Sequence, residues 1–459
     1  MKKYDYSKVE YQINKVLNYQ NEELYLLQKP SMEEVDDRIS ESEVLLKSLG
    51  YDKQLSDFEN GKKNPDKTVD RKVLVVPSWE HLCNEAEMSL ATGNDLESIF
   101  TKEELKSNLA YIKKLNEEYN TIHKLDKYDI SISAVAGLLG AAIDILLVGI
   151  PNKTPDGLKG GVLANYIRDQ FDKEYPEDEM TKLANSKISK VPYDAQDNRQ
   201  TVQYVDGLST YYHRLLSLGH DPLLGLLFGV KDILTGRMTT IDKSGKIAIQ
   251  VIEGYKDRKE SDIFSAIVKQ IIHFKSDITS SMGLPAPLMG LFNLLQFGNI
   301  GEEDQTIAQI VQGMYYEGYD FIHFCTLSIP VMIVEAVIRI SYAIKRIKEG
   351  HSVKESIPIS LNREKNPKLS TMLFIGHAAA TAANAGKIYF TQNPMAINYP
   401  QWIAFGKYSY TQLKWILIDK PSQRASYTDG VLNENLEETL SMTDLTFDKL
   451  STDYIVVIE

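Results

Sequence analysis

The sequence predicts a mainly α protein: a large helical bundle with one small β-hairpin and room for one or more membrane-embedded helices. Three observations carry this. Apolar residues recur at helical spacing, two apolar stretches match the thickness of a bilayer, and one segment alternates as a hairpin does.

Residues 9–28 place Val9, Ile13, Val16 and Leu17 on one helical face, and the pattern resumes after Pro30. Residues 60–70 read as a polar linker. Val73-Leu74-Val75-Val76 is a short β-forming run stopped by Pro77, and Ser78 is placed to cap the helix that follows. Thr101 and Glu104 form a capping-box pattern. Residues 131–151 are apolar apart from Asp144, enough for the roughly 20 residues that span a membrane. Residues 325–344 are comparable but carry Glu335 and Arg339, four apart and placed to pair. A central Asp or Arg costs about 2.5–3.5 kcal/mol on insertion, so a core helix of a soluble bundle explains the same pattern.

Residues 152–206 are polar and mixed. Residues 238–252 read as a hairpin about Asp242-Lys243-Ser244-Gly245, and residues 353–370 as a surface connection. Beyond Pro421 the apolar periodicity fades into an acidic tail that reads as mobile, although Tyr454 to Ile458 has strand composition. The expected organisation is a helical region over 1–67, a second over 68–128, an apolar helical core over 129–420, and the tail over 421–459.

Charge sharpens this division. The 459 residues hold 63 acidic and 51 basic side chains, a net of −12, which argues against a nucleic-acid binder. The first 100 residues carry −7 and the last 39 carry −6, so the middle is nearly neutral at +1. Cys83 and Cys325 form no C-x-x-C motif and cannot build a disulfide scaffold. Met1-Lys2-Lys3 is followed by no apolar run, so a secretory signal is not expected. The expected location is cytoplasmic and membrane-associated, with a plainly cytoplasmic protein as the alternative. The first 130 residues are the natural place for a protein partner.

The neutral middle concentrates histidines and carboxylates in apolar surroundings, where polar groups need partners. His213 and His220 are seven apart, two turns of a helix, but Gly219 predicts that the helix ends before His220, with Asp221-Pro222 starting the next element. His273 and Asp277 are four apart on a predicted helix. That spacing suits shared metal ligation or a bond from imidazole Nδ1 to the carboxylate. Gly376-His377 opens a run of small residues that reaches Asn384, a pattern of tight helix packing. Each histidine alone is explained as a core hydrogen-bonder. Their recurrence with Asp144, Asp221 and Asp277 suits a divalent metal such as Zn²⁺, which would acidify a bound water.

These motifs resemble those of bacterial membrane-bound metal-dependent hydrolases, an inner-membrane-associated family. That family shows an apolar helix ending in aspartates, then an HR…TH element, then H-x-x-x-D followed by glycine and a Pro-rich apolar stretch. Here the apolar helix supplies Asp144; HRLLSLGHD supplies His213, Arg214, His220 and Asp221; and HFKSDITSSMGLP supplies His273, Asp277, Gly283 and Pro285. The chain departs in having Ala142 where a first aspartate would fall, and two extra residues before His220. The resemblance covers residues 131–287. It implies hydrolysis of an ester or phosphoester, lipid-derived in one version, with Asp144, His213, His220, His273 and Asp277 holding the metal. Arg214 and Asp221 are then the catalytic candidates, Arg214 steadying an anionic group. The competing expectation is a non-enzymatic membrane or interaction protein, such as a pore, a defence or toxin effector, or a scaffold, with structural histidines.

Overall fold

A computed structural model describes residues 7–51, 72–89, 100–154, 157–280, 282–298, 300 and 304–458. The linker expected at 60–70, and with it the boundary after residue 67, lies outside the described residues.

Helices dominate. Helix α1 (Lys8–Ser48) starts at a reciprocal capping box between Ser7 and Glu10 and continues through Pro30. Strand β1 (Lys72–Val76) leads to α2 (Trp79–Ser89), whose His81 amide is capped by Ser78, and to α3 (Lys102–His123), capped by Thr101 and Glu104. Helix α4 (Lys127–Ile143) opens on a capping box of Asp126 and Asp129 and ends in a wide π turn, Asp144–Val148. The expected polar stretch then holds a short hairpin, β2 (Asn152–Thr154) with β3 (Gly157–Lys159), followed by α5 (Val162–Glu174) and α6 (Glu177–Asn185).

One-turn helix α7 (His213–Leu216) and the 3₁₀ turn Leu218–His220 precede α8 (Phe228–Thr235). The predicted hairpin is β4 (Arg237–Ile241) with β5 (Ile247–Val251). Asp242 organises its turn by accepting from Ser244 and Lys246, and Gly245 takes a φ of +84° that favours glycine. Helix α9 (Ile263–Asp277) is followed by α10 (Ile307–Tyr316), α11 (Phe321–Lys348), α12 (Leu369–Thr391) and α13 (Tyr399–Lys414). The chain ends in α14 (Lys420–Asp453) and β6 (Tyr454–Ile458). The acidic stretch that reads as a mobile tail is therefore helix and strand. The connection at 353–370 is also less open than expected: Ser356 is buried, and buried Arg363 bonds Gln412 and Thr371.

Two compact units result, Met1–Thr121 with Lys420–Glu459, and Ile122–Asp419. In the first, α1 meets α2 through the Lys15–Glu87 ion pair (2.8 Å), and β1 pairs in parallel with β6, Val73 opposite Ile455. Tyr119 stacks obliquely on Tyr427 and bonds Gln423. The two chain ends thus complete each other, which local sequence patterns do not reveal.

In the second unit, α4, α11, α12 and α13 form a bundle around Ala136, Val334, Ile338, Leu373 and Tyr408. Glycine allows the closest approach: a Cβ on Gly137 would lie 2.2 Å from the Gly376 carbonyl, and one on Gly140 would lie 2.4 Å from Val334. Glu335 and Arg339 pair as expected at 3.2 Å, and Glu335 also takes the Tyr408 hydroxyl at 2.6 Å. The outer faces are apolar, with Val135, Leu138, Leu146, Ile340 and Leu417 all exposed. Two stretches, Lys102–Val148 and Phe321–Lys348, are long and apolar enough to cross a membrane, and only 33% and 39% of their apolar windows are buried. The second part of this unit packs α7, α8, α9 and the β4–β5 hairpin around Tyr193, Leu216, Ile233, Met238 and Ala266. It carries the polar cluster described next.

Candidate metal centre

The donors come from three local structures. Helix α9 is amphipathic, and positions 266, 270, 273 and 277 fall on its buried face, which brings His273 and Asp277 inward together. Helix α7 ends after one turn, as Gly219 predicts, so His213 and His220 are set by a helix–3₁₀ corner rather than by one continuous helix. The third source is the irregular stretch 189–194, made of turns and coil, which contributes Asp194. Close packing locks the corner: a Cβ on Gly219 would lie 2.5 Å from the Tyr193 ring, and Gln270 Nε2 donates to the Gly219 carbonyl at 2.7 Å. Tyr193 meets the rings of His220 and His273 edge-on at 5.1 and 5.5 Å, and its hydroxyl donates to Gln270 at 2.5 Å.

Two overlapping groups of ligand atoms result, Asp194/His213/His220 and His220/His273/Asp277, each with its atoms within 4.8 Å of one another. His213 Nε2 and His220 Nε2 lie 3.4 and 3.5 Å from Asp194 Oδ1. His273 Nε2 and His220 Nε2 lie 3.5 and 3.9 Å from Asp277 Oδ2. These separations exceed the 2.7–3.2 Å of N–H···O bonds. Three of the four, all but the 3.9 Å between His220 and Asp277, match the roughly 3.4 Å edge of a tetrahedron whose centre is about 2.1 Å from each donor, the bond length of nitrogen and oxygen ligands to zinc.

The outer partners fit the same reading. The Nδ1 atoms of His213 and His273 lie 2.9 Å from the carbonyls of Thr210 and Ser189, which fixes the proton on Nδ1 and leaves the Nε2 lone pair facing the cluster. Asp277 Oδ1 is held by Arg214 at 3.1 Å, and Arg214 is itself anchored on Ser280 and the Gly283 carbonyl. What remains is a set of buried atoms without a hydrogen-bond partner: Nε2 of His213 and His273, both nitrogens of His220, and Oδ2 of Asp277. Buried polar atoms are normally paired, so this concentration of orphaned donor atoms fits a cation.

Electrostatics agrees. Burial pushes the His220 pKa down to about 4, despite the nearby Asp194, so this imidazole is neutral at pH 7. Burial works against the Asp194 carboxylate, but the imidazoles of His213 and His220 outweigh it and hold its pKa well below the ordinary value. Among the described residues, Arg214 is the one fixed cation paired with these two carboxylates, which leaves negative charge for a bound ion to balance. Asp194 is also the member that meets solvent, its side chain 23% exposed against at most 5% for the other four.

The expected site is therefore redrawn. His213, His220, His273 and Asp277 come together, and Asp277 does not accept from an imidazole Nδ1. Asp144 is elsewhere: its carboxylate accepts from Lys387 (3.1 Å) and Asn384 (2.9 Å), an ion pair inside the four-helix bundle. Its charge is explained by Lys387, nearly 250 residues away in sequence. Asp221 caps the following turn, its Oδ1 accepting from the amides of Leu223 (2.9 Å) and Leu224 (2.8 Å), and it belongs to neither ligand group. Arg214 reaches Asp277 rather than open space. Asp194 was missed because its stretch has no helical or alternating pattern; the only trace is a carboxylate directly after Val191-Pro192-Tyr193. His323 and His377 lie apart, buried beside Tyr319 and Tyr408.

No protein-family model, no curated protein and no solved structure matches this chain.

Proposed function

We propose that the chain is a metal-dependent hydrolase acting at or near a membrane on an ester or phosphoester. The observation that carries this reading is the convergence of three imidazoles and two carboxylates with unpartnered donor atoms turned toward one another. His213, His220, His273, Asp194 and Asp277 would hold a divalent transition metal, zinc being one whose ligand preferences they fit. Such an ion supplies Lewis acidity, polarising an ester or phosphoryl oxygen and lowering the pKa of water. Arg214 is a positioning residue: it fixes Asp277 Oδ1 and leaves Oδ2 for the ion.

Ser280, which accepts from Arg214, also lines a polar cavity of about 720 Å³ that mixes Lys153, Lys159 and Arg168 with Asp169, Asp172, Glu177 and Asp320; none of the five ligands lines it, and Arg214 with Ser280 is its link to the centre. The family resemblance over residues 131–287 supports the same reaction class, now with Asp194 in place of Asp144. A non-catalytic membrane protein is the second reading, favoured by the exposed apolar faces of the bundle.

Metal analysis of protein purified without chelators tests the centre. We expect near-stoichiometric divalent metal in the wild type and loss of most of it in the His273→Ala/Asp277→Ala double variant. A wild type without metal would end the proposal. Metal without turnover of aryl ester and aryl phosphodiester probes would leave the second reading.

A further inference from the structure

A different part of the unit Ile122–Asp419 contains a cavity of about 770 Å³ that the metal centre does not use. One wall is α10, with Ile310 and Met314; the other is formed by the end of α12 and the start of α13, with Ala385, Ile388, Tyr389 and Trp402. Among the described residues, no charged side chain lines it. Its polar groups are largely spoken for. Trp402 Nε1 donates to Asn384 Oδ1 (2.9 Å), Tyr319 Oη to the Ile397 carbonyl (2.7 Å), and Gln392 Nε2 to the Tyr389 carbonyl (2.6 Å). A ligand there has little to gain from charge or hydrogen bonds and much from burying carbon. The volume falls in the roughly 300–1,000 Å³ range of small-molecule sites.

We propose that this cavity binds the hydrocarbon chain of a membrane lipid. The lining selects carbon over charge, and one of its walls belongs to α12 and α13 of the bundle, whose outer faces are apolar. Tyr389 is strongly exposed at the end of α12 beside exposed Phe390, and Trp402 is partly exposed on α13, so aromatic side chains that line the cavity also reach the surface. Aromatic side chains of this kind gather at the boundary between hydrocarbon and water. A chain can therefore slide in sideways from a bilayer while its headgroup stays outside. This site is independent of the reaction proposed for the metal centre.

The test is photolabelling of the full-length protein in lipid nanodiscs with a palmitoyl probe that carries a diazirine in its chain, followed by peptide mapping. We expect adducts on Ile310, Met314 or Ile388 that excess unlabelled palmitate suppresses at least tenfold. Adducts on the outer-face residues Leu138 and Leu146 should be insensitive to that competitor. Ala385→Trp and, from the opposite wall, Ile310→Trp should each lower the remaining cavity adducts at least tenfold and leave the outer-face adducts unchanged. Adducts confined to the outer faces, or cavity adducts that the competitor does not reduce in the wild type, would overturn the assignment.

Discussion

The reassignment of Asp144 can be tested through its partner. Lys387 and Asp144 are 6% and 3% exposed, so Lys387→Met leaves a buried carboxylate without its countercharge, held by the side chains of Asn384 and Asn398 alone among the described residues. Breaking a buried pair from one side costs about 3–5 kcal/mol. With an unfolding entropy of about 2.1 cal/mol/K per residue, a unit of about 300 residues loses roughly 0.6 kcal/mol per degree, so Tm should fall by about 5–8 °C. Replacing both residues, as Asp144→Asn with Lys387→Met, removes the stranded charge and keeps an acceptor for Asn384. The double variant should recover to within about 2 kcal/mol of the wild type. Thermal unfolding in one detergent, with metal content measured on the same samples, reads both quantities. Asp144→Asn should retain the metal of the wild type, whereas Asp277→Asn should not. A cost under about 1 kcal/mol for Lys387→Met, or metal depletion by Asp144→Asn equal to that of Asp277→Asn, would refute the ion-pair role of Asp144.

Asp194→Asn should weaken metal affinity at least tenfold in a competitive chelator titration; an unchanged affinity would remove Asp194 from the ligand set. Gly219→Ala forces a methyl into the Tyr193 ring and should cost about 1–3 kcal/mol, with metal affinity falling because that ring borders both His220 and His273. Burial raises the Asp232 carboxyl to about 7 although Thr239 donates to it twice. A folded-state pKa above the unfolded value means that this group's contribution is complete below about pH 4. It then declines as pH rises to 7, by up to about 4 kcal/mol. Asp232→Asn, which retains an acceptor for the Thr239 amide, should flatten the stability–pH profile over that window, and an unchanged slope would refute the assignment.

Local rules carried far in this chain. The caps at Ser78 and Thr101, the β4–β5 turn, the helix end before His220 and the Glu335–Arg339 pair all depend on residues within four or five positions of one another, so spacing alone exposes them. The inward face shared by His273 and Asp277 has the same origin, one turn of helix. Two features differ from what the sequence predicts, for one reason. The stretch 421–459 lacks an apolar stripe, yet it forms α14 and β6, and β6 finds its partner in β1 some 380 residues earlier. Asp144 sits in an apolar helix as a ligand would, but its countercharge is on α12.

By itself, the sequence determined the helical class, the hairpin, the two apolar stretches and the residue types available for a metal. These follow from periodicity and side-chain chemistry, which are local. Only the tertiary structure decided which carboxylates meet which imidazoles. It brought Asp194 in on an irregular stretch of turns and coil, sent Asp144 to Lys387, and turned Asp221 onto the backbone of the turn that follows it. Coordination and ion pairing depend on distances of a few ångströms between segments far apart in sequence, and those distances exist only once the chain is packed.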